Sequence, residues 1–152
     1  MPDYLPFDPH PRAPSYRLPA GACDSQFHVF GPAAQYPVRA GAAYEMPSAT
    51  WQVAQAMHRT LGITRGVIVQ ATTYGADHQV VLDALQALNS ASPNAYRGCA
   101  NALVLKERDD AYLQRLHDAG VRGARFTRGG LGISFSPAEM QEALAKVKAL
   151  GW

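Results

Sequence analysis

Gln26 and His28 stand two residues apart in the alternating run Ala22–Phe30 (ACDSQFHVF), just ahead of Gly31-Pro32. In an extended strand residues i and i+2 share a face, so this amide and imidazole point the same way. Two polar side chains turned into a packed interior are costly unless they have partners or a task. His28 therefore reads either as a catalytic group or as a satisfied core histidine bonded to a neighbouring strand or to water. Farther on, Arg122 and Arg125 lie three apart in VRGARF, so they point to opposite faces of that segment. Arg125 is nearer its C-terminal end. Its guanidinium fork suits the two oxygens of a carboxylate, and a salt bridge to a nearby Asp or Glu is the alternative. The hydroxyl of Tyr44 can bind a substrate or simply cover the mouth of a site.

These residues need elements to carry them. After Ala22–Phe30 and a loop from Pro32 to Ser48, Thr50 is placed to cap a helix through Leu61, with Ala54, Met57 and Leu61 on one face and Gly62 as its stop. Arg65–Gln70 (RGVIVQ) is a short apolar strand. Asp77 can cap a second helix bearing Val81, Leu85 and Leu88. Tyr96–Leu105 contains a third strand. Asp109 or Asp110 starts a third helix, and Val121–Phe126 is a fourth strand. Ser136-Pro137-Ala138-Glu139 is a capping box with proline at the first helical position, and Met140, Leu144, Val147 and Leu150 follow at helical spacing. Four β-α units imply a parallel sheet with right-handed crossovers. Four such units are half of a TIM barrel, which typically runs to about 250 residues. An open sheet with a switch point is the competing closure. In either closure the working residues sit at and beyond the C-terminal strand ends. That rule selects Gln26, His28, Phe30, Tyr44, Gln70, Thr72, Thr73, Tyr74, Asn101, Arg125, Thr127 and Arg128.

Composition narrows the class. Hydrophobic residues make up 47% of the 152 and charged residues 17%, as in a globular α/β domain. The net charge is +2, and the 14 basic residues are scattered, which argues against nucleic acid as a partner. No apolar run approaches the roughly 20 residues of a membrane span. Residues 1–20 are rich in proline and lack the apolar core of a signal peptide, so they read as an extended arm ahead of a domain over 21–152. Cys23 and Cys99 lack metal-binding spacing, and as buried thiols they fit a cytoplasmic location. His58, His78 and His117 lie within helical segments and are expected at the surface. Gly129, Gly130 and Gly132 do not make a phosphate-binding fingerprint.

The blocks CDSQFHVFGP, Tyr44-Glu45-Met46-Pro47, LGITRGVIVQATTYGADH, YRGCA and LHDAGVRGARF, in this order and spacing, resemble the lactone-hydrolase branch of the amidohydrolase-related family. The resemblance implies the first half of a distorted (β/α)8 barrel and hydrolysis of a lactone of a small carboxylic acid. It places Gln26 and His28 where the family carries a His-x-His pair on its first strand. With Gln26 in place of the first histidine, a divalent metal site is disfavoured, and the pair would instead polarise the lactone carbonyl. Tyr44, Thr72 or Thr73, and Arg125 match the family's substrate-binding positions, and Arg128 stands close to a second arginine position. The family's late-strand aspartate base and middle-strand histidine have no counterpart up to Trp152, so weak or absent turnover is expected of the lone chain. Asp24 and Glu45 are the acids nearest the expected site. A half barrel also leaves the edges of its outer strands open to self-association. The alternative is an inactive half barrel that binds a small anion or a partner subunit.

Overall fold

The computed structural model describes residues 4–5, 7–127 and 134–152. The elements run β1 (Cys23–Phe27), α1 (Trp51–Leu61), β2 (Arg65–Val69), α2 (Gln79–Ala91), β3 (Tyr96–Asn101), α3 (Leu103–Glu107), α4 (Asp110–Asp118), β4 (Val121–Arg125) and α5 (Pro137–Ala149). A single 3-10 turn, Thr72–Tyr74, leads from β2 towards α2. The strands are all parallel and lie in the order β1-β2-β3-β4. A switch-point sheet would bring β1 beside β3. Here each strand pairs with its sequence neighbour, which is the order of consecutive staves in a barrel.

Local signals account for most element ends. Gly62 sits at φ 76°, the left-handed position that lets α1 stop, and its N–H returns to the carbonyls of the last turn. Asp109 accepts the Tyr112 N–H at the start of α4. In α5, Ser136 Oγ accepts from Glu139 N and Glu139 accepts from Ser136 N, so the capping box is complete. The third strand, expected within Tyr96–Leu105, ends at Asn101, because Asn101 Oδ1 takes the Leu103 N–H at 3.0 Å and bends the chain into the short α3. Two expectations need correction. His78, not Asp77, occupies the N-cap of α2, and Asp77 Oδ1 accepts from Gln79 N in the turn before it. Cys23 is exposed and Cys99 is half-buried, so neither is a core thiol.

The helices cover one face of the sheet. Phe27, Ile68, Ala100 and Val121 from the strands meet Leu85 and Leu88 of α2 and Leu113 and Leu116 of α4 in a single core. Gly98 allows that approach: a Cβ there would stand 2.7 Å from Val121 Cγ2 and 3.1 Å from Leu85 Cδ1. Two of the three histidines expected at the surface belong instead to this layer. His58 is 1% exposed and His78 is fully buried. His58 Nε2 meets Asp24 at 3.1 Å, its Nδ1 meets the Tyr96 hydroxyl at 3.2 Å, and Phe27 packs edge-on against its ring.

Both outer strands carry an extra residue. Between Asp24 and Phe27 β1 takes three steps where β2 takes two, and β4 takes three between Val121 and Ala124 where β3 takes two. These are bulges, which occur often at sheet edges and beside active sites. Asp24 and Phe27, on either side of the first bulge, both reach α1. Beyond it alternation resumes, with Phe27 and Val29 buried and His28 half-buried between them, while Gln26, within the bulge, is exposed. Residues 7–20 contain no helix or strand. Phe7, Pro9 and Pro11 of this arm line a cleft of about 460 Å³ against α1, Phe27 and His28.

Candidate active site

The two outer strands converge on the C-terminal end of β2. His28 Nδ1 lies 2.7 Å from Val69 O, and Arg125 Nη2 donates to Gln70 O at 3.2 Å. A carbonyl oxygen only accepts, so Nδ1 carries the hydrogen and the neutral ring keeps its lone pair on Nε2. His28 is thus oriented by backbone, and its second nitrogen is free to take a proton or, once protonated, to donate one. Gln26 is exposed, and its backbone N–H is held by Asp24 Oδ1 at 3.0 Å. Asp24 itself turns towards His58. That removes it as a base for chemistry on the open face.

The loop between β1 and α1 is stitched to the turn after β2. Thr73 Oγ1 donates to Tyr44 O at 2.5 Å, and Arg39 N donates to Thr73 O at 2.9 Å. Thr73 is 1% exposed, and its hydroxyl is committed to holding this loop. Tyr44 Oη and Thr72 Oγ1 are 3.2 Å apart, so one hydroxyl donates to the other and one hydrogen remains to give. Of the two threonines, Thr72 is the one coupled to the Tyr44 hydroxyl. Arg128 lies outside the described residues.

Arg125 faces the same side as Cys99, whose thiol is pushed up by burial and pulled back by the Arg125 charge. Arg122 instead donates to His117 O at the end of α4. Beneath the site, His78 links two elements: its Nε2 accepts the Asn101 N–H at 3.0 Å, and its Nδ1 meets Ala76 O at 3.1 Å. Burial lowers its pKa to about 4, outweighing the Ala76 carbonyl and the Asp77 charge, so it is neutral at pH 7. The sequence signal for His78 was only its place at the start of a helix after a strand, and nothing there tells an inward ring from an outward one.

His28 offers one nitrogen, its strand neighbour Gln26 is an amide, and among the described residues no three His, Cys, Asp or Glu side chains converge. No step is derived through a metal.

The family model described as amidohydrolase matches residues 23–152. A 2-pyrone-4,6-dicarboxylate hydrolase of Comamonas testosteroni is 38% identical over 152 residues, covering 99% of this chain and 48% of that protein. A 4-sulfomuconolactone hydrolase of Rhizobium radiobacter is 32% identical over 130 residues, covering 86% of this chain and 39% of its own length. The chain therefore spans about half the length, or less, of these curated relatives. Among solved structures, one described as a 2-pyrone-4,6-dicarboxylic acid hydrolase of Acinetobacter baumannii, with citric acid bound, aligns with TM-score 0.71 at 27% identity, over 87% of this chain and 47% of that one. An Agrobacterium tumefaciens structure at TM-score 0.71 and 22% identity shares the fold, over 96% of this chain and 49% of its own. The strand order, the shared length and the family match agree, and the chain belongs to the amidohydrolase family.

Proposed function

We propose that this chain supplies the substrate-binding half of a lactone hydrolase acting on a small, carboxylate-bearing lactone. The observation that carries the reading is the convergence of Arg125 and His28 on the consecutive carbonyls Gln70 O and Val69 O. A cation for a substrate carboxylate and an oriented imidazole for the reacting ester then stand at one strand end. The relatives named for pyrone-dicarboxylate and sulfomuconolactone hydrolysis support the same substrate class. In this reaction water adds to the lactone carbonyl, the ring C–O bond breaks, and the proton lost by water ends on the departing oxygen. Arg125 holds a carboxylate, and the Tyr44–Thr72 hydroxyl pair donates its spare hydrogen to a substrate oxygen. The Gln26 amide N–H donates to the developing oxyanion, and His28 Nε2 does so once it carries a proton. The base that activates water comes from outside the described residues. The mechanism uses no metal, because a Gln-x-His pair is a poor ligand set. Two free thiols support a cytoplasmic setting, and among the described residues no helix is long and apolar enough to cross a membrane.

A second reading has its own support. Gln26 stands where a histidine is expected, and β1 and β4 each pair on one side only among the described residues. An inactive half barrel that binds an anion and docks a partner, or a second copy, through those edges would look the same. Titration with 2-pyrone-4,6-dicarboxylate and with its neutral dimethyl ester tests the first reading. The diacid should bind better, and Arg125→Met should remove that preference, weakening binding about tenfold or more. Equal affinity for acid and ester would sink it. Turnover in the presence of a complementary half barrel separates enzyme from binder.

A further inference from the structure

Asn101 occupies the last position of β3 and is 1% exposed. Its amide is not free to flip. Oδ1 accepts the Leu103 N–H at 3.0 Å, a role that nitrogen cannot fill, so Nδ2 is fixed as the outward donor. That Nδ2 is buried and has no partner. Its backbone N–H is taken by His78 Nε2, so the residue is held from both sides and cannot turn to relieve the donor.

Arg125 is the direct register partner of Asn101 on β4. Ala100 packs in the core against the helices, so Asn101 projects the other way, as does its partner. Arg125 shows the same deficiency: Nη2 is anchored on Gln70 O while Nε is buried without an acceptor. An unsatisfied buried donor is destabilising, and native structures retain few of them. Two on facing positions of adjacent strands, one charged and one neutral, ask for a shared acceptor with two oxygens. A carboxylate is the group that meets a guanidinium and an amide in that way.

We propose that Asn101 is a further substrate-binding residue, which with Arg125 clamps one carboxylate of the ligand. This rests on the lactone-hydrolase reading and extends it by assigning the second donor. The pair discriminates by the group it lacks: a neutral ester in its place leaves the Arg125 charge uncompensated, as in sites built to pair a buried polar group.

The test uses the full chain with 2-pyrone-4,6-dicarboxylate as the probe. Asn101→Asp keeps an oxygen for the Leu103 N–H, and with it the turn into α3, but removes the donor. Binding should weaken about tenfold or more, with the backbone spectrum unchanged apart from neighbours of the site. In the wild-type chain the Asn101 side-chain amide resonances should shift on titration, a readout that does not depend on the variant folding. If N101D binds within twofold of wild type, or those resonances stay still while the probe binds, the clamp is overturned and the lactone reading stands. If the wild-type chain binds no dicarboxylate at all, both fall together.

Discussion

Lowering the pH from 7.5 to 5 should weaken this chain through His78, by an amount that follows from the ring's surroundings. The ring is fully buried, and both nitrogens are engaged by backbone, one by Ala76 O and the other by Asn101 N. Burial holds the folded-state pKa at about 4, against an ordinary value of 6.5. Between those values the unfolded chain takes up a proton that the folded chain refuses, so stability falls as the pH drops and is fully present above the unfolded value. A gap of that size corresponds to about 3 kcal/mol when complete, of which about 2 kcal/mol is lost by pH 5. Urea unfolding of the wild type and of His78→Gln at both pH values isolates this contribution. Glutamine can still accept from Asn101 N and donate to Ala76 O, but it does not titrate. The wild type should lose about 2 kcal/mol more than the variant between pH 7.5 and pH 5. Parallel losses in the two proteins would refute the reasoning, because His78 would then be protonated in the fold or exposed in solution.

Other positions offer independent checks. Asp24→Ala strips His58 Nε2 of its partner in a buried setting and should cost about 1–3 kcal/mol in urea unfolding. Gly98→Ala drives a methyl into Val121 and Leu85 and should cost about 1–3 kcal/mol by the same measurement, with the loss of a single sharp transition if the core cannot yield. Ser136→Ala breaks the capping box of α5 and should cost about 1 kcal/mol, read from thermal unfolding monitored by circular dichroism. Thiol labelling at pH 7.5 should modify exposed Cys23 quickly and Cys99 slowly, since burial raises the Cys99 pKa; equal rates would contradict the placement of Cys99.

Much of this architecture is legible before any coordinates. The apolar run RGVIV, the capping box at Ser136 and the glycine after α1 each act within a few residues, and local signals of that kind survive into the fold. What the sequence hides is set over long separations. His58 looks like any helical histidine, and only Asp24 and Tyr96, 34 and 38 residues away, make it a core residue. Thr73 reads as a substrate-binding hydroxyl, yet a carbonyl 29 residues upstream claims it. The unpartnered amide of Asn101 becomes visible only when the strands are in register.

The extra residue in each outer strand has a consequence for how such a site can change. At either bulge the foot and the tip of the strand are out of phase by one residue, so positions an even number apart across it face opposite ways. Deleting one codon at Gly123 would remove the extra residue and restore strict alternation, leaving Val121 in the core and Arg125, then three positions on, still opposite Asn101. A single-codon deletion at that position is therefore a change in chain length that leaves both faces of β4 as they are.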